Sequence, residues 1–460
     1  MEAKGFLTDV MLTTKFSAPA LRSPIVERTR LIDRIRPAIQ HRLTLVTAPT
    51  GYGKTTLLGG WRTYLNKIGW PVAWLSLDKD DDEPTRFWSY VISALRTINP
   101  EWFLDTLSME ESGDSGPSHQ ALTMLINQIS SAPSGFSLIL DDYHVIQTES
   151  IDQQLNYLIT HMPEPMRFVI GSRTTPRLQI AELRAKNQLC EIRARDLSFT
   201  TIESQTYFQG IMGLDLTTDV VRRLVSKTEG WIAGLQLAAL SMKEGGDIER
   251  FVTHFDGGQR HVYDYLLDAV LVHLSPEVQE FLVKTSILAE VTTPLCDHLL
   301  EIHNSRQILD DLELSTLFIV PLDEQHLWYR YQALFADFLG ITLQHRYPLE
   351  ISQLHHRACC WLKDNGFPGK AVRHAIAAHE YELAATIIET RFLQAETQFD
   401  YLDARYCFTL LPYDLIRQRP RLALYYALMG ITVGRKDNVE RLLHDVTEVL
   451  DCPADIGLSA

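Results

Sequence analysis

The pattern of apolar and polar positions changes character near residue 200. Before that point, short uninterrupted apolar runs alternate with stretches of 3.6-residue periodicity. LTLVTA (43–48), VAWLSL (72–77), SLILDD (137–142), RFVIGS (167–172) and LCEIRA (189–194) read as strands. Between them, KTTLLGGWRTYLNKIG (54–69), PTRFWSYVISALRTI (84–98) and LNYLITHM (155–162) read as helices, and VERTRLIDRIRPAI (26–39) as a short helix behind a polar lead. Apolar strands that alternate with helices predict a parallel sheet covered on both faces. The acidic, Ser- and Gly-rich stretch at 108–118 predicts a loop.

Beyond 200 the strand pattern gives way to helices: IESQTYFQGIM, TDVVRRLVSKT, WIAGLQLAALSM, VYDYLLDAVLVHL, PEVQEFLVKTSIL and SRQILDDLEL. LFIVPLDEQHLWYRYQAL holds two candidate short strands, which suits a winged-helix unit. From 350 the pattern becomes antiparallel helix pairs, AVRHAIAAH with ELAATIIETRF and RLALYYALMGITVG with NVERLLHDVTEVL. Small residues at crossings and glycine at turns are what the first units of an α-solenoid show. A solenoid stopping there lacks a polar capping repeat, so the natural polypeptide is expected to continue.

At 460 residues the chain suggests about three domains, roughly 150 residues each. With 45% hydrophobic and 22% charged residues it reads as a globular protein able to bury its own core. The net charge of −15 argues against direct nucleic-acid binding by this chain. The six cysteines form no CxxC pair and no zinc spacing, which predicts a reduced, cytoplasmic protein; adjacent Cys359 and Cys360 are expected to face a helical core. No signal peptide is read at the N-terminus and no run of about 18 apolar residues occurs, so no membrane association is expected.

The clearest chemistry lies in Ala48-Pro49-Thr50-Gly51-Tyr52-Gly53-Lys54-Thr55, an A-x₄-G-K-T pattern that leaves a strand and opens a helix. Gly51 and Gly53 permit the backbone that turns consecutive N–H groups onto a phosphate, and the helix adds its positive dipole end. Lys54 would reach the β- and γ-phosphates, Thr55 would ligate Mg²⁺, and Thr56 would hold the α-phosphate side. SLILDD places two carboxylates at the end of a strand: Asp141 for the Mg²⁺ shell and Asp142 to polarise an attacking water. Arg173 follows the strand RFVIGS, where it would sense the γ-phosphate or serve as a cap or ion-pair partner. Asp78 ends the second strand, with a structural role as good a reading as a chemical one. The sixteen histidines show no metal spacing.

Taken together, these stretches resemble the MalT-like, LuxR-family group of STAND P-loop ATPases, and the resemblance runs almost end to end. TKFSAPALRSPIVERTRLIDRI is similar to the group's opening segment, TAPTGYGKTTLL and LILDDYHVI to its Walker A and B motifs, and GSRTTPRLQIAELRAKNQLCEIRARDLSFT to its sensor-1 region. GWIAGLQLAALSM resembles its helical signature, and DYLLDAVLVHLSPEVQEFLVKTSIL with WYRYQALFADFL its winged-helix region; LHHRACCWLKDNGFPGKAVRHAIAAHEYELAA follows. The implied fold is an α/β P-loop NTPase with a STAND/AAA+-like parallel sheet, then all-α and winged-helix domains and the start of a TPR-like solenoid. The implied division is 1–200 for the P-loop domain, 201–260 for a helical subdomain, 261–345 for the winged helix, 346–390 for a helical arm and 391–460 for an incomplete sensor.

The resemblance implies ATP and ADP with Mg²⁺ as cofactors, and Val26 and Arg28 beside the adenine. It also implies an ADP-closed, ATP-open switch with slow hydrolysis, an unknown small-molecule or protein inducer, and self-association in the ATP state. Members of the group usually end in a LuxR-type helix-turn-helix; nothing here resembles one, so DNA would be reached only through a further domain. Two positions depart from the pattern. Gln332 stands where the group carries a histidine expected at the ADP β-phosphate, and Ile232 where it carries proline; both put tight ADP retention in question. The competing readings are a stand-alone P-loop ATPase or kinase, marked by fast inducer-independent turnover, and a truncated scaffold protein, marked by failure to take up Mg-ATP.

Overall fold

A computed structural model describes residues 11–19, 25–35, 41–100, 116–243, 248–314, 318–392, 411–424 and 426. It divides into two compact units: residues 1–271 with 310–319 and 332–334, and residues 272–309 with 320–331 and 335–460. The expected loop at 108–118 falls outside the described residues up to 115, and so does most of the second solenoid pair.

The first unit is built on five parallel strands, β1 (Leu43–Thr47), β2 (Val72–Ser76), β3 (Phe136–Asp141), β4 (Met166–Ser172) and β5 (Leu189–Arg193), in the order β2-β3-β4-β1-β5. All residues of β1 and β3 are buried, as expected of strands covered on both faces. The order seats β4 between β3 and β1, with Leu140 and Leu45 both level with Ile170. The carboxyl ends of the three strands carrying the A-x₄-G-K-T loop, the acid pair and Arg173 therefore meet at one edge, where open α/β sheets bind ligands.

The flanking helices are fixed by local signals. Lys54–Lys67 starts at Gly53 in the left-handed region. Pro84–Arg96 starts at Pro84, with the Glu83 carboxylate accepting from the amides of Thr85 and Arg86. A further helix, His119–Ser130, is set by Leu122, Leu125, Ile126 and Ile129, which form a buried stripe at helical spacing, with Ser118 as its cap. Lys15 is buried and pairs with Asp81 and Asp78, both at 2.7 Å. Asp78 also accepts from the amide of Asp80, so its role here is structural.

The second unit contains helices Pro276–Thr285, Thr293–Leu300, Ile351–Asp364, Pro368–Ala377 and Tyr381–Phe392, and β7 (Tyr329–Tyr331), which pairs with the short β6 (Ile319–Pro321). Val291 bridges Tyr329 beside that pair. The helix expected over 262–274 is broken: Arg260–Ala269 ends before a 3-10 turn at Leu271–His273. The extended Ser275, capping a helix that starts at Pro276, cannot continue the preceding one. Among the described residues no helix is long and apolar enough to cross a membrane.

Helices Ile351–Asp364 and Pro368–Ala377 meet at a histidine pair, His355 Nδ1 lying 2.8 Å from His374 Nδ1. Such a contact requires one ring to donate and the other to accept, so the two are not both doubly protonated. Burial lowers both, and with His355 and Arg373 beside it His374 is pushed down to about 3. Between that value and the usual histidine range the unfolded chain binds the extra proton, so acidification below about pH 6.5 destabilises this unit by up to about 1.4 kcal/mol per pH unit. Urea unfolding at pH 7, 5.5 and 4.5 should show a steeper acid loss for the parent chain than for His374→Gln. Parallel losses would refute it.

Candidate phosphate site

The loop after β1 adopts the conformation its glycines allow, Gly51 at φ 77° and Gly53 at φ 81°. Lys54 is 7% exposed, and its Nζ donates to the carbonyls of Ala48 at 2.7 Å and Pro49 at 3.1 Å. Burial lowers the ammonium group to about 8, Arg173 adding to the fall while Asp142 and Asp141 oppose it. It thus remains mostly charged at neutral pH, close to both acids and to Arg173.

Asp141 is buried at the end of β3, and the Thr55 hydroxyl donates to its carboxylate. Burial and the neighbouring Asp142 charge raise it to about 6, against the Thr55 bond, the Asp142 amide and Lys54. Its carboxylate fits there because residue 171 on β4 is glycine; a Cβ at that position would lie 2.7 Å from both Asp141 Oδ1 and Leu58 Cδ1. A glycine inside a strand marks such a close approach, a signal present in RFVIGS that the sequence reading passed over.

Asp142 does not continue the strand, as SLILDD suggested, but turns out of it at φ 59°, ψ 36°. Its amide donates to Asp141 Oδ1 at 3.1 Å, and its own carboxylate is half exposed. A non-glycine residue held in the left-handed region is strained, and such strain concentrates at functional sites. His144, also passed over in the sequence, stands with Nδ1 3.6 Å from Asp142 Oδ1; burial and Arg173 lower its imidazole to about 4, so it is neutral.

A second layer holds the loop from behind. Trp231, fully buried, donates from Nε1 to the Thr50 carbonyl at 3.1 Å, and the Ala233 amide donates to the Gly51 carbonyl at 3.1 Å. Thr50 Oγ1 and the Tyr265 hydroxyl are 3.1 Å apart, and the Trp231 ring packs on Tyr265 and edge-on to Phe318. GWIAG was legible as a helical signature, but its grip on the loop was not, because the partners are some 180 residues apart. Ile232 opens the helix Ile232–Lys243, its Cγ2 3.8 Å from where a Gly53 Cβ would stand.

Other expected site residues lie as follows. Ala48 and Tyr52 are buried within the loop; Thr55 and Thr56 lie in the first turn of the helix it opens. Val26 is buried. Arg28 donates to the carbonyls of Leu197 and Ser198 at 2.6 and 3.0 Å, lies 3.3 Å from Glu203 Oε1 and sits over the Phe199 ring. These contacts tie the opening segment to the turn that begins the helical part of the chain. Gln332 is buried; its amide nitrogen donates to the Thr228 carbonyl at 2.7 Å, while its Oε1 has no hydrogen-bond partner.

Residues 267–351 match the model of the MalT winged helix domain. The chain is 31% identical over 436 residues to the HTH-type transcriptional regulator MalT of Yersinia pestis strain Pestoides F, covering 94% of this chain and 48% of that protein. It is 30% identical over 443 residues to that of Serratia proteamaculans strain 568, covering 96% and 49%. It thus spans about half the length of the curated relatives it matches. Among solved structures, a Walker-type ATPase of Pyrococcus abyssi aligns at 12% identity with a TM-score of 0.49, over 69% of this chain and 97% of that one. With residues 267–351 matching the MalT winged helix domain and nearly its whole length aligned at 30–31% identity, the chain resembles MalT regulators over about half of their length.

Proposed function

We propose that this chain is the nucleotide-operated switch of a MalT-like transcriptional regulator, closed with ADP and open with ATP. The observation that carries the reading is the convergence of Gly51, Gly53, Lys54 and Thr55 on the Asp141–Asp142 pair at the carboxyl edge of the sheet. The residues fit a magnesium-bound nucleotide. Left-handed glycines and a helix N-terminus suit an anion, the buried Lys54 ammonium matches phosphate charge, and the Thr55 hydroxyl and Asp141 carboxylate are hard oxygen donors. Among the described residues no group of three or more His, Cys, Asp and Glu gathers to hold a metal, so a divalent cation here would share the phosphate oxygens.

Bound Mg²⁺ would supply charge neutralisation at the phosphates. Lys54 would move from the Ala48 and Pro49 carbonyls to the phosphate oxygens. Asp142, half exposed next to Asp141, would orient a water and accept its proton, with Arg173 neighbouring both Lys54 and His144. Hydrolysis is slow and resets the switch. An inducer, small molecule or protein, and ATP both favour the open state, which self-associates. DNA contact belongs to a part of the protein beyond this chain, and the cytoplasm is its place of action.

The test begins with the nucleotide that copurifies: protein denatured directly after purification should release near-stoichiometric ADP on chromatography. Light scattering with Mg-ADP, Mg-ATP and a non-hydrolysable analogue should show growth only with the latter two; no change under any nucleotide would sink self-association. Asp142→Ala should keep nucleotide affinity within a few-fold and lower turnover about 10²-fold in a phosphate-release assay. Fast turnover in the parent chain without inducer would instead mark a stand-alone ATPase.

A further inference from the structure

The second unit carries a nucleophile, base and orienting acid that the switch does not use. Cys360 and His356 lie one turn apart on the helix Ile351–Asp364, with Cys360 Sγ 3.6 Å from His356 Nε2. His356 Nδ1 is in turn 2.8 Å from Glu380 Oε2, just beyond the helix Pro368–Ala377. A carboxylate can only accept, so the Nδ1 proton sits on the Glu380 side and Nε2 presents its lone pair to the thiol. This is the arrangement of a thiol activated by a base that a third group orients.

Access separates Cys360 from its neighbour. Cys360 is half-buried and opens on a recess of about 590 Å³, whose wall includes His298, His303 and Arg357. Cys359, on the next position of the same helix, is fully buried, and burial with the adjacent Cys360 pushes its thiol up to about 12. Both cysteines are expected in the core from their helical sequence context; the structure places only Cys359 there.

We propose that Cys360 is a modification site, oxidised by small hydroperoxides to a sulfenic acid with His356 as proton carrier and Glu380 as its positioning residue. The thiol proton passes to His356 Nε2 as sulfur attacks the distal oxygen. The O–O bond breaks, an S–O bond forms, and the leaving oxygen takes the proton back from the imidazolium, giving sulfenic acid and an alcohol or water. Sulfur loses the two electrons that the peroxide gains. A hydroperoxide suits the site because its cleavage needs a proton first removed and then returned, which one imidazole beside both atoms can do.

The experiment treats the whole chain with hydrogen peroxide at pH 7, traps sulfenic acid with dimedone and maps each cysteine by mass spectrometry over time. Cys360 should be labelled at least about tenfold faster than in the urea-unfolded chain, and Cys359 should stay unlabelled. His356→Gln should lower the Cys360 rate about tenfold, and Glu380→Gln by a smaller factor. Cys359→Ser should leave it unchanged. At pH 9.5, where hydroxide ionises exposed thiols generally, the parent chain and His356→Gln should converge; a merely structural role for His356 would not produce that pH-dependent gap. Melting curves of both variants establish that the fold is kept. A Cys360 rate equal to that of the unfolded chain, or unaffected by both His356→Gln and Glu380→Gln, would overturn the proposal.

Discussion

Replacing Lys54 by methionine is expected to lower affinity for Mg-ADP by about 10³-fold while leaving the ligand-free fold no less stable. The first effect follows from the loss of a buried charge-assisted contact to phosphate, worth about 4 kcal/mol. The second follows from what the ammonium costs in its absence. Its value of about 8, against 10.5 for an ordinary lysine, means that the unfolded chain binds this proton more tightly than the folded one. Stability therefore rises with pH between those two values, and at pH 7 the folded protein carries the whole cost, about 3 kcal/mol. Methionine keeps the length of the side chain and removes that cost, against the loss of two hydrogen bonds to Ala48 and Pro49 worth about 1 kcal/mol each. Calorimetric titration and urea unfolding of the stripped protein measure the two effects separately. Unchanged affinity would remove the phosphate-site assignment; a stability rise above pH 8 that persists in Lys54→Met would show that another group carries it.

What could be read in advance, and what could not, divides by range. The backbone of the A-x₄-G-K-T loop was legible because its requirements are local: glycines at two left-handed positions, a lysine and a threonine at a helix start, all within eight residues. The five strands were legible because buried parallel strands are continuously apolar. The departure of Asp142 from its strand was not, since SLILDD carries no mark of where extended backbone gives way to the left-handed region. Arg28 illustrates longer range. Its contacts are with Leu197, Ser198, Glu203 and Phe199, about 170 residues on, and no local pattern announces them. Likewise nothing in GWIAG announces that Trp231 caps the Thr50 carbonyl. Cys359 and Cys360 look alike in sequence; neighbouring positions on a helix point about 100° apart, so one is sealed and the other meets a recess.

That grip on the loop gives the second large effect, and comparing two glycines isolates it. Both Gly51→Ala and Gly53→Ala place an L-residue at positive φ, which costs about 1 kcal/mol or more in each case. Only at position 51 does the new Cβ also meet the layer behind: Ala233 Cβ at 2.6 Å, Trp231 Nε1 at 2.8 Å and the Tyr265 hydroxyl at 3.1 Å. At position 53 the nearest atom is Ile232 Cγ2 at 3.8 Å, an ordinary contact. Ala233 is main-chain-bonded to Gly51 and Trp231 is fully buried, so neither can yield without breaking a hydrogen bond to the loop. Gly51→Ala is therefore expected to destabilise the ligand-free protein by about 2 kcal/mol more than Gly53→Ala, as overpacking of a closed core does. Adding Trp231→Phe, which removes the indole N–H, should shrink that difference if the clash is with this layer; urea unfolding of the double-mutant cycle reads it. Equal destabilisation at 51 and 53 would mean that the loop and the helix Ile232–Lys243 are mechanically independent. A coupling of this size would let a change in the loop bias the position of that helix, which is the physical link the proposed switch calls for.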